Sequence, residues 1–120
     1  MMNLNDHIVY ISGPMTGIQE FNRPAFFLME RTLLERFKTC TTLNPARITD
    51  KHIATSLRFL KEEEKYREYM KHDIELVFSA TAIMLLKGWH NSKGANAELA
   101  LAKALNLLIV YEDEITGGQL

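Results

Sequence analysis

The chain has 120 residues, 47% of them hydrophobic, enough for one domain with a real core and too few for a second. Fourteen Lys and Arg against fifteen Asp and Glu leave a net charge of -1, without the basic excess that nucleic-acid polymers demand, so a small molecule is the expected partner. The single Cys40 has no partner for an internal disulfide, the four histidines His7, His52, His72 and His90 lack ligand-like spacing, and neither a signal segment nor a membrane-length apolar run is visible; the expectations are a cytoplasmic location, no membrane contact, no metal and no cofactor.

His7-Ile-Val-Tyr-Ile-Ser12 is a β-rich run that stops at Gly13-Pro14, and Met15 to Phe21 reads as a loop. Asn22 is positioned to cap a helix with Pro24 in its first turn, and Phe26, Met29, Glu30, Leu33 and Phe37 mark its period. Thr39-Cys-Thr-Thr-Leu43 reads as a second strand before the Asn44-Pro45 turn. Residues 46–60 carry no clear period and predict a loop with a short helix over 50–60. The charged run Lys61-Glu-Glu-Glu-Lys65 opens the next helix as a solvated first turn. Thr81-Ala-Ile-Met-Leu-Leu86 is the continuous apolar run of a central parallel strand. A polar loop, Gly88-Trp-His-Asn-Ser-Lys-Gly94, leads into a third helix, and Leu107 to Tyr111 form the last strand before a polar tail.

Alternating strands and helices predict an α/β fold: a single domain over 1–120, flavodoxin-like and doubly wound, with four or five parallel strands in the order 2-1-3-4 and helices on both faces. Ligands in such sheets bind beyond the carboxyl ends of the strands, at the switch point between strands 1 and 3. The Gly13 loop and the loop from Trp89 to Gly94 are expected to meet there.

Two acidic side chains lie within apolar helical stripes. Glu98 shares a face with Leu101, Ala102 and Leu105, and Asp73 lies at the centre of a face made by Tyr66, Tyr69, Met70, Leu76, Val77 and Ala80. An unpartnered buried carboxylate is costly, so two aimed inward point to a polar cleft with shifted ionisation. The competing reading is a half-exposed acid at a helix end, bonded to backbone amides.

The segments Val9-Tyr-Ile-Ser-Gly-Pro-Met-Thr-Gly17, His72-Asp73 and Gly88-Trp-His-Asn-Ser-Lys-Gly-Ala-Asn-Ala-Glu98 resemble the nucleoside 2-deoxyribosyltransferase-like superfamily, and more narrowly a small, largely phage-associated branch of it related to nucleoside 5'-monophosphate N-glycosidases. The resemblance covers nearly the whole chain in the same order. It implies that Glu98 attacks the anomeric carbon of a nucleoside or nucleotide, that Asp73 assists at the sugar or base, and that Tyr10 lies close to the nucleophile. The chemistry asks for such groups, because N-glycosidic cleavage passes through an oxocarbenium-like state that one carboxylate captures while a second acid helps the base depart.

Six residues before the glutamate, relatives acting on free nucleosides carry an acid and monophosphate hydrolases a serine; this chain has Ser92. Beside Gly94 and a helix N-terminus, that loop suits an anion, although a serine there also serves as an ordinary cap. Ser12, Gly13, Pro14, Thr16 and Gly17 are the expected sugar and phosphate contacts of the first loop. Trp89 and His90 are read either as a stacking surface for the base or as packing anchors. Two departures stand out: the loop Met15-Thr16-Gly17-Ile18 lacks the arginine that often grips phosphate, and Thr81 replaces an aspartate expected to order the cleft. The implied assembly is a homodimer or a larger homo-oligomer. The expected activity is N-glycosidic cleavage of (deoxy)nucleoside 5'-monophosphates or base exchange; the alternative is a noncatalytic nucleotide-binding or sensing module.

Overall fold

β-branched and aromatic residues in Ile8–Ser12 form β1, buried from Val9 onward. In chain order follow α1 (Arg23–Arg36), β2 (Thr41–Leu43), α2 (Glu62–Phe78), β3 (Ala82–Leu85), α3 (Lys93–Ala104), β4 (Leu108–Tyr111) and a short α4 (Glu112–Thr116) in this computed structural model, which describes residues 2–47 and 61–117. The helix expected over 50–60 lies outside the described residues. The four strands are all parallel in the order β2-β1-β3-β4, as the alternation of elements predicts.

Strand side chains alternate between the faces of the sheet, and two apolar layers result. On one face Val9, Ile11, Ala82, Met84 and Val110 pack with Phe26, Met29 and Leu33 from α1, with Phe37 just after it, and with Ile115 from α4. On the other, Tyr10, Ile83 and Leu85 pack with Val77 from α2 and with Leu99 and Ala102 from α3. Tyr10 and Ser12 share parity, so both side chains belong to the α2 and α3 face. The β1–β3 register sets Ser12 opposite Leu85 at the carboxyl end of the sheet.

Glu30, buried in the α1 layer, shows how an inward acid is satisfied structurally. Thr42 Oγ1 donates to it at 2.8 Å and Asn44 Nδ2 at 3.2 Å, and the Arg47 guanidinium completes the set. Burial alone would raise its pKa, but these hydrogen bonds outweigh burial and hold it below the usual value. An open groove of about 420 Å³ runs beside it between Phe27, Leu34, Lys38 and Arg47.

Three expectations change. Asn22 occupies the cap position of α1 but has φ 61° and makes no capping bond; its Nδ2 donates instead to the Pro14 carbonyl at 2.9 Å. It closes a run of three left-handed residues with Glu20 (φ 55°) and Phe21 (φ 54°), a conformation costing on the order of 1 kcal/mol or more at each non-glycine position. Thr81 lies before β3, at the amino end of the sheet, where Oγ1 accepts from Ile8 N at 2.9 Å and meets His7 Nδ1 at 2.9 Å. It therefore staples the starts of β1 and β3 and orders nothing at the carboxyl edge. The tail after β4 begins as α4, closed by a reciprocal cap in which Tyr111 N donates to Glu114 Oε1 at 3.0 Å.

Candidate functional site

At the carboxyl edge, Gly13 carries β1 into its loop. A Cβ at this position would stand 2.8 Å from Leu86 Cβ, so only glycine lets the loop pass this close to the end of β3. Gly88 turns the chain after β3 with φ 88° and faces the Pro14 ring, which brings the two loops together. A 3-10 turn over Trp89–Asn91 then delivers Ser92 as the cap of α3, its Oγ accepting from Ala95 N at 3.1 Å. Asn96 secures the same loop by donating to the carbonyls of His90 and Ser92.

Six residues into this segment, Glu98 turns its side chain toward the sheet and is only 4% exposed. Ser12 Oγ donates to Glu98 Oε1 at 2.7 Å. The Tyr10 hydroxyl is fully buried beside the same carboxylate but completes no well-aligned hydrogen bond among the described residues. Burial pushes the Glu98 pKa up to about 7, with the Ser12 hydrogen bond and the nearby Tyr10 hydroxyl opposing the rise. Burial, then repulsion from Glu98 and Asp73, raises Tyr10 as well, so the phenol stays protonated.

Asp73 approaches from α2, its side chain 14% exposed. Burial, reinforced by the charge of Glu98, lifts its pKa to about 8. The contrast with Glu30 is the informative one. Glu30 has three donors and a lowered pKa, whereas Glu98 has one short hydrogen bond and Asp73 a histidine 3.9 Å away. Both carboxyls are raised into the neutral range as one coupled pair, so a proton is retained between them near neutral pH.

The expected site residues fall into three groups. Tyr10, Ser12, Asp73 and Glu98 converge. Gly13, Pro14, Ser92 and Gly94 line the two loops at the same edge, while Thr16 and Gly17 lie further out, exposed on the first loop. Trp89 is turned to packing: its ring is 5.9 Å from that of Tyr111 and it rests on the layer of Tyr10, Ile83 and Leu85. His90 is exposed and meets Trp89 edge-on at 5.9 Å.

One participant was not singled out by the sequence, and another changes role. Tyr66 was read only as a stripe residue, yet its hydroxyl stands 3.5 Å from where a Gly94 Cβ would be, and burial and the charges of Glu98 and Asp73 raise its pKa. It borders the cleft mouth. The signal was available, because Tyr66 lies two turns before Asp73 on one face. Ser12 was read as a substrate contact; its hydroxyl is committed to Glu98. Among the described residues no three His, Cys, Asp or Glu side chains converge as a metal site would require, and no helix is long and apolar enough to cross a membrane.

No curated protein matches the chain. One family does, over residues 7–111, a span that contains every member of the cleft from Tyr10 to Glu98. The chain belongs to that family, described as a domain of unknown function (DUF4406).

Proposed function

We propose that the protein cleaves the base–sugar bond of (deoxy)nucleoside 5'-monophosphates, with transfer of the sugar to a second base as a close variant. The observation that carries this reading is the buried Glu98 carboxylate, held by Ser12 and flanked by Tyr10 and Asp73 at the β1–β3 switch point. The resemblance to the nucleoside 2-deoxyribosyltransferase-like superfamily points the same way.

In the first step a Glu98 oxygen bonds to the anomeric carbon as the C–N bond breaks. The bond's electron pair leaves with the base, which takes the Asp73 proton. Water then attacks the glycosyl ester, giving its proton to Asp73 and freeing Glu98 with the sugar phosphate as product. A second base in place of water gives exchange. Ser12 holds the attacking carboxylate in one orientation, and its hydrogen bond favours the anion at the pH where the cleft works. The amide end of α3, with Ser92 and Gly94, supplies donors for a phosphate; the Ser92 hydroxyl keeps its own proton to donate while its oxygen caps the helix.

Incubation with a panel of nucleosides and nucleotides, followed by chromatography for free base, tests the reading. Release of base from monophosphates is the expected result. Tight binding with no release would instead identify a nucleotide sensor built on the same cleft.

A further inference from the structure

His72 Nδ1 is buried and has no hydrogen-bond partner among the described residues, although the side chain as a whole is 30% exposed. An orphaned buried polar atom is costly, and such an atom beside reacting groups calls for a reason. The nearest acidic group is Asp73, whose Oδ1 lies 3.9 Å away, too far for a hydrogen bond in this state and near enough to close with a small side-chain rotation. Catalytic hydrogen bonds are often long in the ligand-free protein and tighten as charge develops.

We propose that His72 is a positioning residue whose Nδ1–H donates to the Asp73 carboxylate that forms when Asp73 gives its proton to the departing base. Resting on the glycosidic reading above, the contact is weak while Asp73 is neutral and strong once it is an anion, so it stabilises the transition state more than the ground state. Glu98 from α3 and Tyr10 from β1 also face Asp73, and Tyr66 acts on it from its own helix. Glu98 disfavours the Asp73 anion, the two phenols being neutral, and His72 is the opposing donor.

Asn and Leu at position 72 separate this role from packing, because the Asn Nδ2 lies at the same bond separation from Cα as the His Nδ1, whereas Leu fills the space without a donor. Carbon-detected NMR titration of the Asp73 carboxyl reads the contact without any turnover. His72→Leu is expected to raise the Asp73 pKa by about one unit and His72→Asn to return it to the wild-type position. In steady-state kinetics on a cleaved monophosphate, His72→Leu should lower kcat roughly tenfold or more at unchanged KM, with His72→Asn recovering most of it. An unchanged or lowered Asp73 pKa in His72→Leu, or an Asn variant that behaves like Leu, overturns the proposal. If the wild type releases no base, the glycosidic reading fails and the titration alone still decides whether His72 serves Asp73.

Discussion

Replacing Glu98 by Gln removes a charge while keeping shape and a Ser12 acceptor, and the structure sets how stability should respond to pH. Burial raises the carboxyl from 4.5 to about 7, so between those values the folded protein binds more protons than the unfolded chain and stability falls as pH rises. Below the unfolded value the group is neutral in both states and costs nothing; above about 7 the whole cost of the buried anion is present. At 1.36 kcal/mol per unit, that shift corresponds to about 3 kcal/mol, an upper bound because local opening relieves part of it. For a chain of this size, that is on the order of 10 °C in Tm. Glu98→Gln should therefore melt close to wild type near about pH 4 and well above it near about pH 8.5, with the gap opening between. Thermal melts by circular dichroism across that range provide the assay. The variant also removes the repulsion that helps lift Asp73, so the Asp73 pKa should fall from about 8. A gap that does not change with pH, or a variant less stable at high pH, would refute the buried-anion reasoning.

Other substitutions separate the parts of the site. Ser12→Ala deletes the 2.7 Å hydrogen bond that favours the Glu98 anion, so the acid limb of the pH–rate profile should move to higher pH, read from kcat/KM against pH. Gly13→Ala forces a contact of 2.8 Å with Leu86 and should destabilise the fold by about 1–3 kcal/mol in denaturant unfolding. Ser92→Asp keeps a good helix cap while opposing phosphate, so stability should hold within about 0.5 kcal/mol as the preference for monophosphates over nucleosides reverses in calorimetric binding. Thr81→Val leaves Ile8 N without its acceptor at the far end of the sheet and should cost about 1–3 kcal/mol without altering base release.

The periodicities that announced the sheet also announced the acids. Apolar runs at Ile8–Ser12 and Ala82–Leu85, separated by helices too long for hairpins, leave the parallel order β2-β1-β3-β4 as the natural solution, and alternation along β1 then sends Tyr10 and Ser12 to the face that receives Glu98. The helical stripe found Glu98 because a 100° step per residue survives folding nearly unchanged. What the stripe did not distinguish was Glu30, equally inward but neutralised by Thr42, Asn44 and Arg47, partners 12 to 17 residues away that only the fold assembles. Asn22 misled for a related reason: its preference for caps is local, whereas its bond to the Pro14 carbonyl depends on how the first loop folds back. Thr81 was assigned to the cleft from a resemblance, and strand direction moves it to the opposite end of β3.

The covalent role of Glu98 is the central claim, and trapping the intermediate tests it most directly. A 2'-fluorinated nucleoside 5'-monophosphate destabilises the oxocarbenium-like state of both steps and lets the glycosyl ester accumulate. Peptide mapping by mass spectrometry should then find the sugar phosphate on the peptide containing Glu98, released on adding an acceptor base and absent in Glu98→Gln. Turnover of the natural nucleotide with no adduct, or an adduct on any other residue, would contradict the account.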